Sequence, residues 1–135
     1  MTIKLEKDMK LKAMGLALMI GSVVITAQAH HSLAILDMSK PTAVKGVLRA
    51  VEFKNPHSRF AVEGKNAKGE MVTWDCESLP PAGFRQAEIK RADFAQAIGQ
   101  EVTINGFVAR DGSPIGLMLK MTFMDGKSIS VGVSR

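Results

Sequence analysis

The side chains of this sequence that are best suited to bind a metal ion are its three histidines, His30, His31 and His57. If His30 were the first residue of the chain, its α-amine and its Nδ1 could chelate one metal ion, with His31 or His57 as a further nitrogen ligand. A set of three nitrogens favours Cu(II), because affinity among the first-row divalent metals peaks at copper. The sequence therefore predicts a copper site formed by His30, His31 and His57.

The residues before His30 have the three features of an export signal. Residues 1–12 are basic with two acids intermixed, residues 13–25 are almost wholly apolar, and Ala27 and Ala29 supply the small side chains that precede a signal-peptidase cut. We expect residues 1–29 to be a signal peptide, cleaved after Ala29, and the mature protein to be periplasmic or secreted. The alternative is a retained membrane anchor or helix, but the apolar run is shorter than the ~20 residues of a bilayer span.

Composition argues against several classes of partner. The 135-residue chain carries a net charge of +5, of which the first 29 residues hold +2, and it has no dense cluster of Lys and Arg, so nucleic-acid binding is not expected. Trp74 is the sole Trp and Tyr is absent, which disfavours binding of oligosaccharides or single strands by stacking. Cys76 is the only cysteine, so no internal disulfide is possible.

Alternation of apolar and polar residues predicts one mainly β domain over residues 44–133, preceded by an N-terminal arm of residues 30–43 with an extended piece at residues 33–36. The predicted strands are residues 44–53, 59–63, 70–77, 101–109, 117–124 and 127–133. Residues 82–98 are the only predicted helical region, and they lie between the third and fourth strands. Three strands, a short helical connection and two to three further strands are typical of a small OB-like barrel. A small open β-sandwich is the alternative.

Other candidate chemistry has simpler interpretations. Cys76 shares the apolar face of its strand, which favours a buried inert thiol over a reactive thiol or a metal ligand. Met118 and Met124 are predicted to face one way along their strand and Met121 the other, which favours ordinary packing over a Cu(I) site. Asp75 and Glu77 share an outer strand face with no candidate nucleophile beside them, so we interpret them as solvated acids. Phosphate loops, nucleophile elbows and paired-cysteine motifs are absent, so no enzymatic activity is expected.

Several short motifs together resemble an uncharacterised family of short exported bacterial proteins, domain-of-unknown-function family 6152. The motifs are His30-His31-Ser32, Asn55-Pro56-His57-Ser58, Arg110-Asp111-Gly112-Ser113-Pro114 and Asp125-Gly126-Lys127. The resemblance covers nearly all of residues 30–127. It implies export and a small β domain, and it implies no activity.

We therefore expect a non-enzymatic exported barrel that binds a transition metal, copper first, through His30, His31 and His57. The simpler interpretation is that the histidine pair is solvated and that His57 only stabilises its turn by bonding to the backbone. A different function is a metal-free module that binds a periplasmic protein or peptide through an exposed strand or a groove. A copper oxidase is a third hypothesis, although no aromatic platform for a substrate is visible.

Overall fold

The structure, a computed structural model, describes residues 32–131. Within that range it has six strands and three short helices. They are α1 (Ser32–Ile35), β1 (Thr42–Glu52), β2 (Arg59–Lys65), β3 (Met71–Glu77), α2 (Pro81–Gln86), α3 (Arg91–Ala95), β4 (Glu101–Val108), β5 (Ile115–Phe123) and β6 (Ser128–Ser130). The predicted order of strands and helical connection is confirmed. No helix among these residues is long and apolar enough to cross a membrane.

Five of the strands close into a barrel. β1 pairs with β2 on one side and with β4 on the other, β2 pairs with β3, and β4 pairs with β5, all antiparallel. A parallel pairing of β3 with β5 then completes the ring, and β6 extends the sheet from β5. This closed ring confirms the predicted mainly β, OB-like barrel and excludes the open sandwich.

β1 pairs with two neighbours along overlapping parts of its length, and Gly46 lies in the overlap. It faces Gly64 on β2 and Val102 on β4. A Cβ on Gly46 would overlap the carbonyl oxygen of Glu63, so the glycine is required by the close approach of β2. The register of β1 against β2 shifts a little further along the strand, between Leu48 and Ala50.

The helical connection covers the end of the barrel where β1 ends and β2 begins. Pro81 starts α2 at a position where proline is favoured, and the side chain of Asp93 caps α3 by accepting a bond from the N–H of Lys90. From these helices Phe84 stacks on Phe53 at 4.6 Å, and Phe94 packs edge-on at 4.8 Å against Phe60. Of the predicted apolar helix face, Phe84, Phe94 and Ala97 are buried.

The sequence predicts Ala87 and Ile98 on the same apolar face, in one or two short amphipathic turns, and for these two residues the prediction is wrong. Both are exposed, and Ile89 packs against the core instead. The region does form two short helices, but Ala87 and Ile98 each lie beyond the end of a helix, where the helical face no longer continues. Gly99 follows with a φ of +86°, as expected for a residue that ends a helical segment.

The methionines of β5 also differ from the prediction. The register shifts between Asn105 and Gly106, which face Lys120 and Met118, so Leu119 is an extra residue on β5. This bulge turns Met118 and Met121 to the same side, and both are fully buried, whereas Met124 is 71% exposed. The predicted faces are therefore wrong, but the predicted role in ordinary packing is confirmed.

The segment before β1 is a helical turn followed by one bridge, so the predicted extended piece at residues 33–36 is wrong. The helical turn spans Ser32–Ile35, and of the predicted segment Leu33 is exposed and Leu36 is buried. Only Leu36 pairs in the manner of a strand, in an isolated antiparallel bridge with Ala109.

Candidate functional site

His57 lies in the turn between β1 and β2 and is half-buried. The next residue, Ser58, fixes the backbone of the turn with two hydrogen bonds. Its N–H donates to the carbonyl of Leu79 at 3.1 Å, and its carbonyl accepts from the N–H of Ser78 at 3.0 Å. Among the described residues, the imidazole of His57 has no hydrogen-bond or ion-pair partner. The imidazole is therefore held on a fixed loop, and no bond from it to described backbone groups supports the turn.

The other two predicted ligands, His30 and His31, lie outside the described residues. The chain that follows them is attached to the barrel by backbone bonds. The N–H of Arg110 donates to the carbonyl of Ile35 and the N–H of Asp37 donates to the carbonyl of Val108, both at 2.9 Å. These bonds attach the arm beside the end of β4, close to the point where β1 begins.

The attached arm and His57 lie toward opposite ends of the barrel. The eleven residues of β1 lie between them, about 33 Å at ~3.3 Å per residue. A shorter path runs around the ring, because Leu36 pairs with Ala109, which bonds to β5, and β5 pairs with Asp75. Three steps of about 4.8 Å separate Leu36 from Asp75 on this path. A site shared by all three histidines therefore has to bridge the distance between the attached arm and the turn that holds His57.

The described part of the barrel has no cluster of side chains already arranged as metal ligands. Within residues 32–131, no group of three or more His, Cys, Asp or Glu side chains is arranged to hold a metal ion. Cys76 is fully buried, and burial raises the pKa of its thiol to about 12. The predicted burial of the thiol is confirmed, and the raised pKa supports the interpretation that it is inert, because the thiolate is the form that binds metals and reacts.

The outer-face acids of β3 are paired with an arginine. The guanidinium of Arg59 binds the carboxylate of Asp75 with both Nε, at 3.0 Å from Oδ1, and a terminal nitrogen. It also lies 3.7 Å from Oε1 of Glu77. The outward position predicted for these acids is confirmed, and both carboxylates are partly exposed. Cross-strand pairing also brings Arg59 onto the same face, so the two acids are paired with a cation as well.

A groove of about 630 Å³ lies between α3 and the β5–β6 hairpin, with Ile89, Ala97, Phe123 and Ile129 among its apolar lining. Among the described strands, β6 pairs only with β5 and has one free edge.

The hydrogen-bond pattern shows which groups of β6 lie on that free edge. The N–H of Val131 donates to the carbonyl of Leu119, and the N–H of Phe123 donates to the carbonyl of Lys127, both at 2.8 Å. Because antiparallel bonding alternates along a strand, the N–H and C=O of Ser128 and Ser130 point away from β5. This edge had no signal in the sequence beyond the turn at residues 125–126, because strand order decides which edge is free.

A second cavity, of about 440 Å³, lies at the opposite end of the barrel, where β1 begins and β4 ends. Trp74, Val44 and Val108 line it from the barrel, and Lys40 and Arg110 line it from the arm and from the β4–β5 loop. Sequence reasoning missed this site. Its one available signal was a lone Trp at an inward strand position, which on its own is typical of core packing.

The fold defines the class of protein, a small closed OB-like barrel with an attached N-terminal arm. Comparison with known families then gives the family. The chain belongs to the family described as "Family of unknown function (DUF6152)", whose model matches residues 18–119. This confirms the resemblance drawn from the histidine motifs. No curated protein and no solved structure was found to match the chain.

Proposed function

We propose that the protein is an exported barrel that binds a transition metal ion, copper first, through its processed amino terminus. The observation that carries the proposal is the attachment of the chain immediately after the histidine pair, at Ile35, Leu36 and Asp37. A chain fixed five residues after His31 holds that histidine within about 17 Å of the attachment point, even fully extended. This short reach is what supports a metal site close to the barrel.

The α-amine and the imidazoles of His30 and His31 form the main ligand set of this proposal. Nitrogen ligands of this kind suit Cu(II), and affinity among the divalent first-row metals is highest for copper. His57 is the additional ligand, with an imidazole free of described partners on a fixed loop. Because β1 separates His57 from the arm, its contribution must be measured apart from that of the N-terminal pair.

Isothermal titration of the mature protein with Cu(II) tests the proposal, after mass spectrometry has identified its first residue. We expect His30→Ala and His31→Ala each to weaken Cu(II) binding at least tenfold. Three serines added before His30 should weaken it similarly, because the α-amine is then moved away from both imidazoles and neither histidine stands at the third position of the chain. Cys76→Ala is the matched control and should bind as the parent does, since the thiol is buried.

Two results would contradict the copper site. One is a mature chain that starts at a residue other than His30, which removes the α-amine from the ligand set. The other is unchanged Cu(II) affinity in a protein with both N-terminal histidines replaced. His57→Ala decides the third ligand, and a loss of affinity comparable to that of His31→Ala would place His57 in the same site.

The free edge of β6 favours a second candidate function, the metal-free binding of an extended peptide. A peptide strand could add to the outward N–H and C=O groups of Ser128 and Ser130, with its side chains in the groove beside α3. Ser130→Pro removes an outward N–H without removing a bond to β5, whereas Ser130→Ala keeps that N–H.

A matched pair of captures from periplasmic extract, in the presence of a chelator, tests this peptide function. The captured protein is then measured directly for binding to the purified barrel. We expect binding to survive Ser130→Ala and to be lost in Ser130→Pro. Equal binding by the two variants would show that the β6 edge is not the docking surface.

A further inference from the structure

The cavity at the arm end of the barrel has the size and composition of a small-molecule site. Its volume of about 440 Å³ lies within the range of ligand pockets, which are mostly apolar with a few polar groups. Its apolar lining includes Val44 and Val108, and the ring of Trp74 forms part of the wall. Asp37 and Lys40 of the N-terminal arm form another part of the wall, so the arm and the barrel both line this cavity.

Trp74 carries a hydrogen-bond donor that has no partner among the described residues. The side chain is 7% exposed, and its indole nitrogen is enclosed by the protein with no acceptor within residues 32–131. Buried polar groups in native proteins are nearly always paired, so an unpaired one needs a reason. Because an indole N–H donates and never accepts, the group that would satisfy it must be an acceptor.

The positively charged side chains around the cavity also favour a ligand with hydrogen-bond acceptors and a negative charge. Lys40, Lys65 and Arg110 line it, and none of them has an ion-pair partner among residues 32–131. The single carboxylate of the lining is Asp37, which accepts bonds from the hydroxyl of Ser39 at 2.6 Å and from its N–H at 3.2 Å.

The positive charges of Arg110 and Lys40 act electrostatically on the carboxylate of Asp37, which lies in the same lining. The pKa of Asp37 is held below its usual value by the hydrogen bonds from Ser39 and, to a lesser extent, by Arg110 and Lys40. Three cations against one ionised carboxylate leave the cavity with an excess of positive charge. Arginine in particular binds carboxylate or phosphate groups through two parallel bonds.

We propose that this cavity binds a small amphiphilic anion. The acidic head group is bound by Arg110, Lys65 and Lys40, and the apolar body lies against Val44 and Trp74. This binding is independent of copper, because it uses none of the three histidines, and failure of either proposal leaves the other unaffected.

The fluorescence of Trp74 reports on the proposal directly, because it is the only Trp of the chain. The probes are octanoate, its uncharged analogue octanol, and inorganic phosphate, each titrated into the mature protein in the presence of a chelator. We expect octanoate to change the Trp74 emission saturably. Octanol and phosphate should each bind at least tenfold more weakly, since octanol lacks the charge and phosphate lacks the apolar body.

Charge variants locate the site. Arg110→Gln combined with Lys65→Gln should weaken octanoate binding at least tenfold. Lys120→Gln, an exposed lysine of β5 outside the cavity lining, is the matched control and should leave it unchanged. Thermal unfolding of each variant establishes that it is folded.

Three outcomes would overturn the proposal. The first is the absence of saturable octanoate binding to the folded parent protein. The second is an octanol affinity equal to that of octanoate, which would indicate an apolar surface without anion recognition. The third is an equal loss of octanoate binding in the Lys120→Gln control, which would indicate a general effect of net charge.

Discussion

Replacing Gly106 with Ala tests the close contact between β4 and β5. A Cβ at this position would lie 2.9 Å from the carbonyl carbon of Leu117 and closer still to its oxygen. Both atoms belong to the backbone, so the two strands would have to separate at the bulge where Gly106 faces Met118. Loss of two ladder bonds at about 1 kcal/mol each and looser packing of the fully buried Met118, about 1 kcal/mol more, would lower the free energy of unfolding by about 3 kcal/mol.

Thermal unfolding followed by circular dichroism measures this loss. For a domain of about 100 residues, 3 kcal/mol corresponds to a fall in Tm of roughly 12–24 °C. Gly112→Ala is the matched control, because Gly112 has a φ of +81° but open space at its Cβ position. Its cost should be confined to the left-handed backbone, about 1–2 kcal/mol. A Gly106→Ala protein as stable as the Gly112→Ala protein would refute the argument that β4 and β5 require a glycine at their contact.

Further predictions concern the core, the thiol and the outer face. Phe94→Ala should lower the free energy of unfolding by about 3–5 kcal/mol, whereas Ile98→Ala, at a side chain that is 41% exposed, should change it by about 0.5 kcal/mol or less; similar losses in urea titrations would contradict the packing described for α3. The Cys76 thiol should resist iodoacetamide at pH 8 in the native protein, because a pKa of about 12 leaves only about one thiol in ten thousand as thiolate; rapid labelling under native conditions would show that it is accessible. Arg59→Gln should cost about 1 kcal/mol or less, since the pair with Asp75 is partly exposed. High salt should remove most of that difference, and a larger, salt-independent loss would mean that Arg59 has a role in packing.

The order of the strands was predictable because each strand of this barrel has one face toward water. Trp74 and Cys76 on β3 alternate with polar neighbours, Phe60 and Val62 on β2 lie on either side of Ala61, and all four are buried as their spacing predicts. Pro80 and the glycine at position 99 mark the limits of the helical connection. These signals are local, so they appear in the sequence without knowledge of the partner strands.

The features that escaped prediction depend on partners distant in the sequence. The extra residue Leu119 in β5 is defined only by its register with β4, and a strict period of two therefore put Met118 and Met121 on opposite faces.

The candidate sites show the same division. The histidine motifs were visible in the sequence because their residue types are distinctive. The cavity at Trp74 was not visible, because its cations come from the arm, from the end of β2 and from the β4–β5 loop, which meet only when the barrel closes. The free edge of β6 was hidden for a similar reason, since an edge is a property of the whole sheet.

The parallel junction between β3 and β5 is the shortest pairing in the ring, three residue pairs against six or seven in each of the other four. Local unfolding begins where a structure has the fewest stabilising contacts, so we expect the barrel to open transiently between β3 and β5. The only cysteine lies there, opposite Gly116, with its Sγ 3.4 Å from where a Cβ on that glycine would be. The rate at which the Cys76 thiol is modified over hours would therefore report how often the barrel opens between β3 and β5.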